Sequence, residues 1–134
     1  MRINLRELLK TTVDKDASDL HLIAGEVPAV RIRGEVRRLN MGALSSIEAM
    51  RLANELMTDS HRATLAEELS VDFSFALERR ARFRANIYTQ INGVSLALRR
   101  IPARVMTLKD LNAPVVLEQI ANYRRGLVLV TGPT

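Results

Sequence analysis

Two groups of residues in this 134-residue chain have types and spacing suited to phosphate chemistry. The first is Gly126-Leu127-Val128-Leu129-Val130-Thr131-Gly132-Pro133-Thr134, an apolar run leading into a glycine turn. A phosphate-binding loop opens this way. In G-x-x-x-x-G-K-[ST] the backbone N–H groups after a strand cradle phosphates, the lysine neutralises them and the hydroxyl holds Mg²⁺. Gly132, Pro133 and Thr134 match its opening. The second glycine, the lysine and the Mg²⁺-binding hydroxyl would follow residue 134, so the chain reads as the front part of a nucleotide-hydrolysing protein.

The second group is a set of arginines between Ala81 and Ile101. Asn92-Gly93 is a two-residue turn signal between strand-like runs, and placing it at the turn pairs Ile91 with Val94. The pairs Thr89–Leu96, Ile87–Leu98 and Ala85–Arg100 then share one face, mostly apolar, with Ala81 and Phe83. The opposite face holds Arg82, Arg84, Asn86, Tyr88 and Gln90, facing Ser95, Ala97, Arg99 and Ile101. In this register Arg99 lies across from Asn86, with Arg84 as its diagonal neighbour, near enough for long side chains to share a ligand. Three guanidinium groups on one face repel unless something anionic joins them. A carboxylate from the preceding strand, where Asp72 and Ser74 alternate outward, would serve, and so would a phosphate. Arg100 falls on the apolar face and is expected to snorkel or end the strand.

The elements that must position these residues follow from periodicity. Leu5, Leu8, Leu9 and Thr12-Val13 recur at helical spacing and predict an amphipathic helix over 3–14. Residues 17–23 read as a strand with Leu20 and Leu22 on one face. Ala29 to Arg33 and Val36 to Leu39 form a small hairpin around Gly34-Glu35. Ser45 or Ser46 caps a helix to about Met57, with Ile47, Met50, Leu52, Ala53 and Leu56 inward. Asp59 or Ser60 caps another to about Glu68. Residues 71–77 alternate as a strand. Thr107 and Pro114 start short helical segments, and Leu127–Val130 reads as a buried strand. This order predicts a mixed α+β domain, its antiparallel sheet covered by helices on one face. The domain would span 1–101, a linker 102–125, and residues 126–134 would open a second domain.

Composition narrows the function. The net charge is +5, and the chain has no cysteine, so disulfides and thiolate metal sites are excluded and a reducing compartment is expected. Seventeen of the 20 basic residues are Arg, the others being Lys10, Lys15 and Lys109. Arg suits bidentate phosphate and carboxylate contacts, although compositional bias of the source also produces such an excess. Aromatic residues make up only 4%, too few for the stacking platforms of single-strand nucleic-acid binding. The start of the chain mixes acid and base without an apolar core, unlike a signal peptide. No apolar run approaches the roughly 18 residues of a spanning helix, so neither membrane insertion nor nucleic-acid binding is expected. With only His21 and His61 present, a histidine-rich metal site is excluded. Asp19 and His21 share a strand face and suit a structural or interdomain role. Ser18, Asp19 and His21 lie too close along one strand to form a hydrolase triad.

These residues carry a resemblance. Ala17-Ser18-Asp19-Leu20-His21 is followed by Pro28 and Arg31-x-x-Gly34, then Asp72-Phe73-Ser74-Phe75 and Ala81-Arg82-Phe83-Arg84-x-Asn86. Arg99-x-Ile101-Pro102 and Arg125 through Thr134 complete the series. In this order and spacing, over essentially the whole chain, the sequence resembles the N-terminal part of PilT-type ATPases. These are the type IV pilus retraction motors of the type II/IV secretion ATPase superfamily. The resemblance implies a PAS-like N-terminal domain joined to a RecA-like ATPase domain whose first strand and Walker A loop begin at 126–134. It implies a homo-hexameric motor for pilus retraction and twitching motility, using ATP and Mg²⁺. That motor would be cytoplasmic and peripheral to the inner membrane, where it meets the pilus assembly platform. Arg84, Arg99 and Arg82 match the arginines that close over the ATP phosphates, and Gly132, Pro133 and Thr134 match the loop. Arg100 matches no such position. The segment lacks the loop lysine and the Walker B acid, so it is expected neither to hydrolyse ATP nor to bind it tightly by itself. The alternatives are a PAS-like sensing or docking module without enzymatic activity, or the N-terminal domain of a secretion or pilus-extension ATPase.

Overall fold

The computed structural model describes residues 3–79, 81–102 and 104–132. Two compact units divide the chain, Met1–Ala103 and Arg104–Thr134.

The first unit begins with α1 (Leu5–Asp14). Asn4 caps it, its side chain accepting from the Glu7 N–H, and Leu5, Leu8, Leu9 and Thr12 form the buried stripe. Three short strands follow: β1 (Asp19–Leu22), β2 (Ala29–Ile32) and β3 (Glu35–Arg38). A capping box between Ser45 and Glu48 starts α2 (Ser46–Leu56). Thr58, one residue before the earlier of the two caps the sequence suggested, starts α3 (Asp59–Glu68), its side chain accepting from the His61 N–H. Leu69 ends α3 in the left-handed region and leads into β4 (Ser70–Leu77). Then come β5 (Ala81–Gln90) and β6 (Gly93–Ile101).

All six strands join one sheet in the order β3-β2-β1-β6-β5-β4, every pair antiparallel. The period-two alternation of β-structure sends Leu20, Leu22, Val71, Phe83, Ala85, Ile87, Leu96 and Leu98 into one core with Leu8, Leu52 and Leu65 of the helices. Burying Phe83, Ile87 and Leu98 completely contributes about 1.5–3 kcal/mol each. Helices α1, α2 and α3 pack on β1, β6 and β4 respectively, and the polar positions of the strands line the other face.

Three expectations are corrected. Ile47 and Met50 of α2 do not face inward: they are exposed, while Ala49, Leu52 and Ala53 are buried. Those three recur at i, i+3 and i+4, which puts Ile47 and Met50 on the far side of the helix. The β5–β6 hairpin is offset by two residues from the sequence reading. Its loop is Ile91-Asn92, closed by Gln90 opposite Gly93, so Thr89 faces Val94, Ile87 faces Leu96 and Ala85 faces Leu98. Gly93 takes φ +123 and lies where a Cβ would meet the Ser46 Cβ at 3.0 Å, a close approach only glycine allows. The Gln90 amide bonds the Ser95 hydroxyl and the Ala24 carbonyl, fixing this register, and Ile91 is left to solvent. An even offset preserves which residues share a face.

The third correction lies in the second unit. It holds one helix, α4 (Val116–Ala121), while the segment begun by Thr107 makes turns. Leu127–Val130 is not a buried strand here: it has no regular structure and is exposed. Among the described residues no strand pairs with its backbone N–H and C=O groups, and a lone extended segment gains nothing from burial.

Candidate functional site

The antiparallel register arranges the polar face in rows across the sheet. One row runs Ser74, Arg84, Arg99, Asp19, Arg31, Val36, each residue directly opposite the next. The adjacent row runs Asp72, Asn86, Ala97, His21, Ala29, Arg38. Arg99 thus faces Arg84, not Asn86 as the sequence register had it. The small side chains of Ala97 and Ala29 flank His21. A shallow cavity of about 350 Å³ opens over Asp19, His21, Asp72, Arg84, Asn86, Ala97 and Arg99.

Like charges directly opposite each other destabilise a sheet, and here carboxylates on the outer sides answer them. Arg84 donates through Nε to Asp72 Oδ1 at 3.2 Å, and Asn86 Nδ2 donates to Asp72 Oδ2 at 3.0 Å. Arg99 donates through Nε to Asp19 Oδ1 at 3.0 Å. Asp19 Oδ2 accepts from the Ser18 hydroxyl at 2.7 Å and lies 3.5 Å from Arg31 Nε. Both Arg84 and Arg99 are therefore anchored by Nε. Among the described hydrogen bonds their terminal Nη groups have no protein acceptor, and their side chains are 65% and 73% exposed. The exposed Arg84–Asp72 pair contributes about 0–1 kcal/mol, and an anion can engage either Nη edge without breaking the Nε bond beside it. Two arginines and two carboxylates line the cavity, and Arg31 adds a third guanidinium on the far side of Asp19.

The titratable groups are tuned by this setting. Burial pushes the Asp19 carboxyl up, but hydrogen bonds from Ser18 and Arg99 and the charge of Arg99 outweigh it and hold the group below its ordinary value. Burial pushes His21 below its ordinary value; Asp19 opposes this and the charges of Arg31 and Arg99 add to it. Its Nε2 is buried and has no hydrogen-bond partner among the described residues.

Arg84 and Arg99 thus meet in one cavity. Arg82 shares their face but stands one row away, donating to the Ser74 hydroxyl at 3.3 Å. Arg100 lies on the core side opposite Phe83 and reaches Asp16 Oδ1 at 2.7 Å, the snorkelling expected of it. Gly132 is exposed in irregular chain, and Pro133 and Thr134 lie outside the described residues. Arg31 and Asn86 join the site without having been assigned its polar contacts from sequence. Pairing β1 with both β2 and β6 would have placed Arg31 beside Asp19, but that order is not readable locally. Among the described residues no group of three or more His, Cys, Asp or Glu gathers to hold a metal, and no helix is long and apolar enough to cross a membrane.

Fold and site together define a mixed α+β domain that carries its core under three helices and a basic, cavity-bearing surface on the other side of the sheet. The chain is 40% identical over 132 residues to the type IV pilus retraction ATPase PilT of Pseudomonas aeruginosa, covering 98% of itself and 38% of that protein. It is 37% identical to a twitching motility protein of Neisseria gonorrhoeae, covering 35% of it. A crystal structure of the pilus retraction motor PilT with bound ADP superposes with a TM-score of 0.78 at 39% identity, over 98% of this chain and 38% of that one. The Legionella pneumophila ATPase DotB shares the fold at 21% identity, with a TM-score of 0.69 over 94% of this chain and 37% of that one. No protein-family model matches. The chain is an N-terminal segment of the PilT-type ATPases, spanning 35–40% of the length of the curated relatives it matches.

Proposed function

We propose that this domain is the phosphate-facing regulatory part of an ATP-driven pilus retraction motor. In the full-length protein, Arg84 and Arg99 engage the phosphates of ATP through their free Nη edges as the domain closes over the nucleotide. The observation that carries this reading is the pair of cross-strand arginines lining one cavity, each tethered through Nε among the described hydrogen bonds, with its Nη edge toward solvent. Kinship with a retraction motor whose crystal structure contains ADP supports the choice of anion. Arg82, one row away, contributes at longer range. Residues 126–134 open the nucleotide-binding domain, with Gly132, Pro133 and Thr134 beginning the loop that wraps the phosphates. The ATP it meets is the Mg²⁺ complex. Assembly as a cytoplasmic homo-hexamer, peripheral to the inner membrane and docked on the inner-membrane pilus assembly platform, belongs to the same reading.

A phosphate contact completed on closure stabilises the transition state more than the ground state. Arg84→Ala and Arg99→Ala in the full-length protein are therefore expected to lower kcat by about a thousandfold, the scale of an arginine finger at its weak end. ATP affinity should change several-fold at most. Arg→Lys should restore activity only in part, because the planar fork is lost. Full turnover in both alanine variants would overturn the proposal.

A further inference from the structure

We propose that Asp19 is a positioning residue for the phosphate-facing arginines, holding Arg99 and Arg31 so that both guanidinium groups border the open face. This rests on the proposed function. The structural contrast behind it is between a buried carboxylate and exposed cations. The Asp19 side chain is 10% exposed, whereas those of Arg99 and Arg31 are 73% and 41% exposed. Asp19 sits directly between these arginines in the row, with Arg99 opposite it on β6 and Arg31 opposite it on β2.

Both carboxylate oxygens are committed. Oδ1 accepts from Arg99, while Oδ2 accepts from Ser18 and lies within ion-pair distance of Arg31. The backbone locks the same corner: the Ser18 N–H donates to the Arg31 carbonyl at 2.8 Å, and the Arg100 N–H donates to the Ser18 carbonyl at 2.9 Å. Arg31 is fixed a second time by its Nη1, which donates to the Gly34 carbonyl at 3.1 Å. A carboxylate immobilised in this way fixes the plane of the guanidinium it holds by Nε, and so aims the remaining N–H groups. Asp72, 48% exposed, holds Arg84 without comparable burial. The two arginines of the cavity therefore differ: Arg99 is held rigidly, and Arg84 retains freedom to follow a ligand.

Two readouts test this. In the chain itself, ¹⁵N NMR of arginine Nε–H groups should show Arg99 Nε–H exchanging with water at least about tenfold faster in Asp19→Asn than in the unaltered chain, the scale of losing one hydrogen bond to a charged group. Arg84 Nε–H, bound to Asp72, should not change. In the full-length protein, Asp19→Asn should lower kcat about ten- to hundredfold with little change in KM, as misaiming a group that acts in the transition state does. The double variant Asp19→Asn/Arg99→Ala should be no slower than Arg99→Ala alone. Ser18→Ala, which removes one anchor of the carboxylate, should move both readouts in the same direction by less, and it decides the matter if Asp19→Asn does not fold. Unchanged Arg99 Nε–H exchange, or losses of turnover that multiply in the double variant, would overturn the proposal. Should Arg99→Ala prove fully active, the phosphate reading fails, while Arg99 Nε–H exchange still tests the positioning by Asp19.

Discussion

Gly93→Ala tests the hairpin register, and with it the direct pairing of Arg84 with Arg99. Gly93 has φ +123, a conformation that costs a residue with a side chain about 1–3 kcal/mol. The added methyl would also sit 3.0 Å from the Ser46 Cβ and 3.5 Å from both the Ser46 Cα and the Ala24 Cβ. Ser46 cannot readily give way, because it is the first residue of α2, held inside the Ser45–Glu48 capping box. Overpacking of this kind adds about 1–3 kcal/mol. A combined loss of about 3 kcal/mol, with a urea m-value near 1.5 kcal/mol/M, moves the unfolding midpoint down by about 2 M. Urea denaturation followed by circular dichroism reads this directly. Ile91→Ser, at a residue 98% exposed in the loop, should leave the midpoint unchanged and serves as the control. A Gly93→Ala midpoint within about 0.3 M of the unaltered chain, well inside the shift expected from the m-value, would refute the packing of Gly93 on Ser46. Backbone NOEs linking residue 99 to residue 86 instead of residue 84 would refute the register itself.

Other outcomes follow from the same geometry. The lowered folded-state value of His21 means that the unfolded chain takes up a proton, near pH 6.5, before the folded chain does, so stability rises with pH across that window and falls as pH drops from 7 toward 5. His21→Asn should flatten that slope in urea titrations at pH 7, 6 and 5, and an unaltered slope would count against a buried neutral imidazole. Arg100→Ala removes the Asp16 pair and the stem packed beside the core, and should lower stability by about 1 kcal/mol. In the full-length protein the same variant should leave ATP turnover near normal, and loss of turnover there would reverse the assignment of faces.

The fold was legible wherever burial follows a strict period. The alternation of Phe83, Ala85 and Ile87 placed β5 correctly, and the spacing of Leu5, Leu8 and Leu9 placed α1. Parity carried the site: Arg82, Arg84 and Arg99 share a face whichever even register the hairpin adopts. The exact register was not legible, because Asn92-Gly93 is a strong local turn signal overridden by a tertiary contact. Ser46 approaches from α2, and nothing near Gly93 in sequence announces it. The inward set of α2 held at Leu52, Ala53 and Leu56 but failed at two positions for a related reason. Ile47 and Met50 are apolar but lie off the stripe that Ala49, Leu52 and Ala53 define, and small alanines carry little weight when a core is read from hydrophobicity. Asp19 and Arg31 were visible as a motif, but their contact depends on β1 lying between β2 and β6, a long-range pairing that no local pattern encodes. Leu127–Val130 has the composition of a buried strand, and composition cannot supply the neighbouring strands it would need.

The central claim is that the open arginine edges of this sheet receive phosphate. It is tested most directly by a structure of the full-length protein with a non-hydrolysable ATP analogue in the closed state. The account predicts Nη atoms of both Arg84 and Arg99 within about 2.7–3.2 Å of phosphate oxygens, with Arg99 Nε still on Asp19. A closed, nucleotide-filled site in which both arginines remain paired only with Asp72 and Asp19, far from the phosphates, would contradict it.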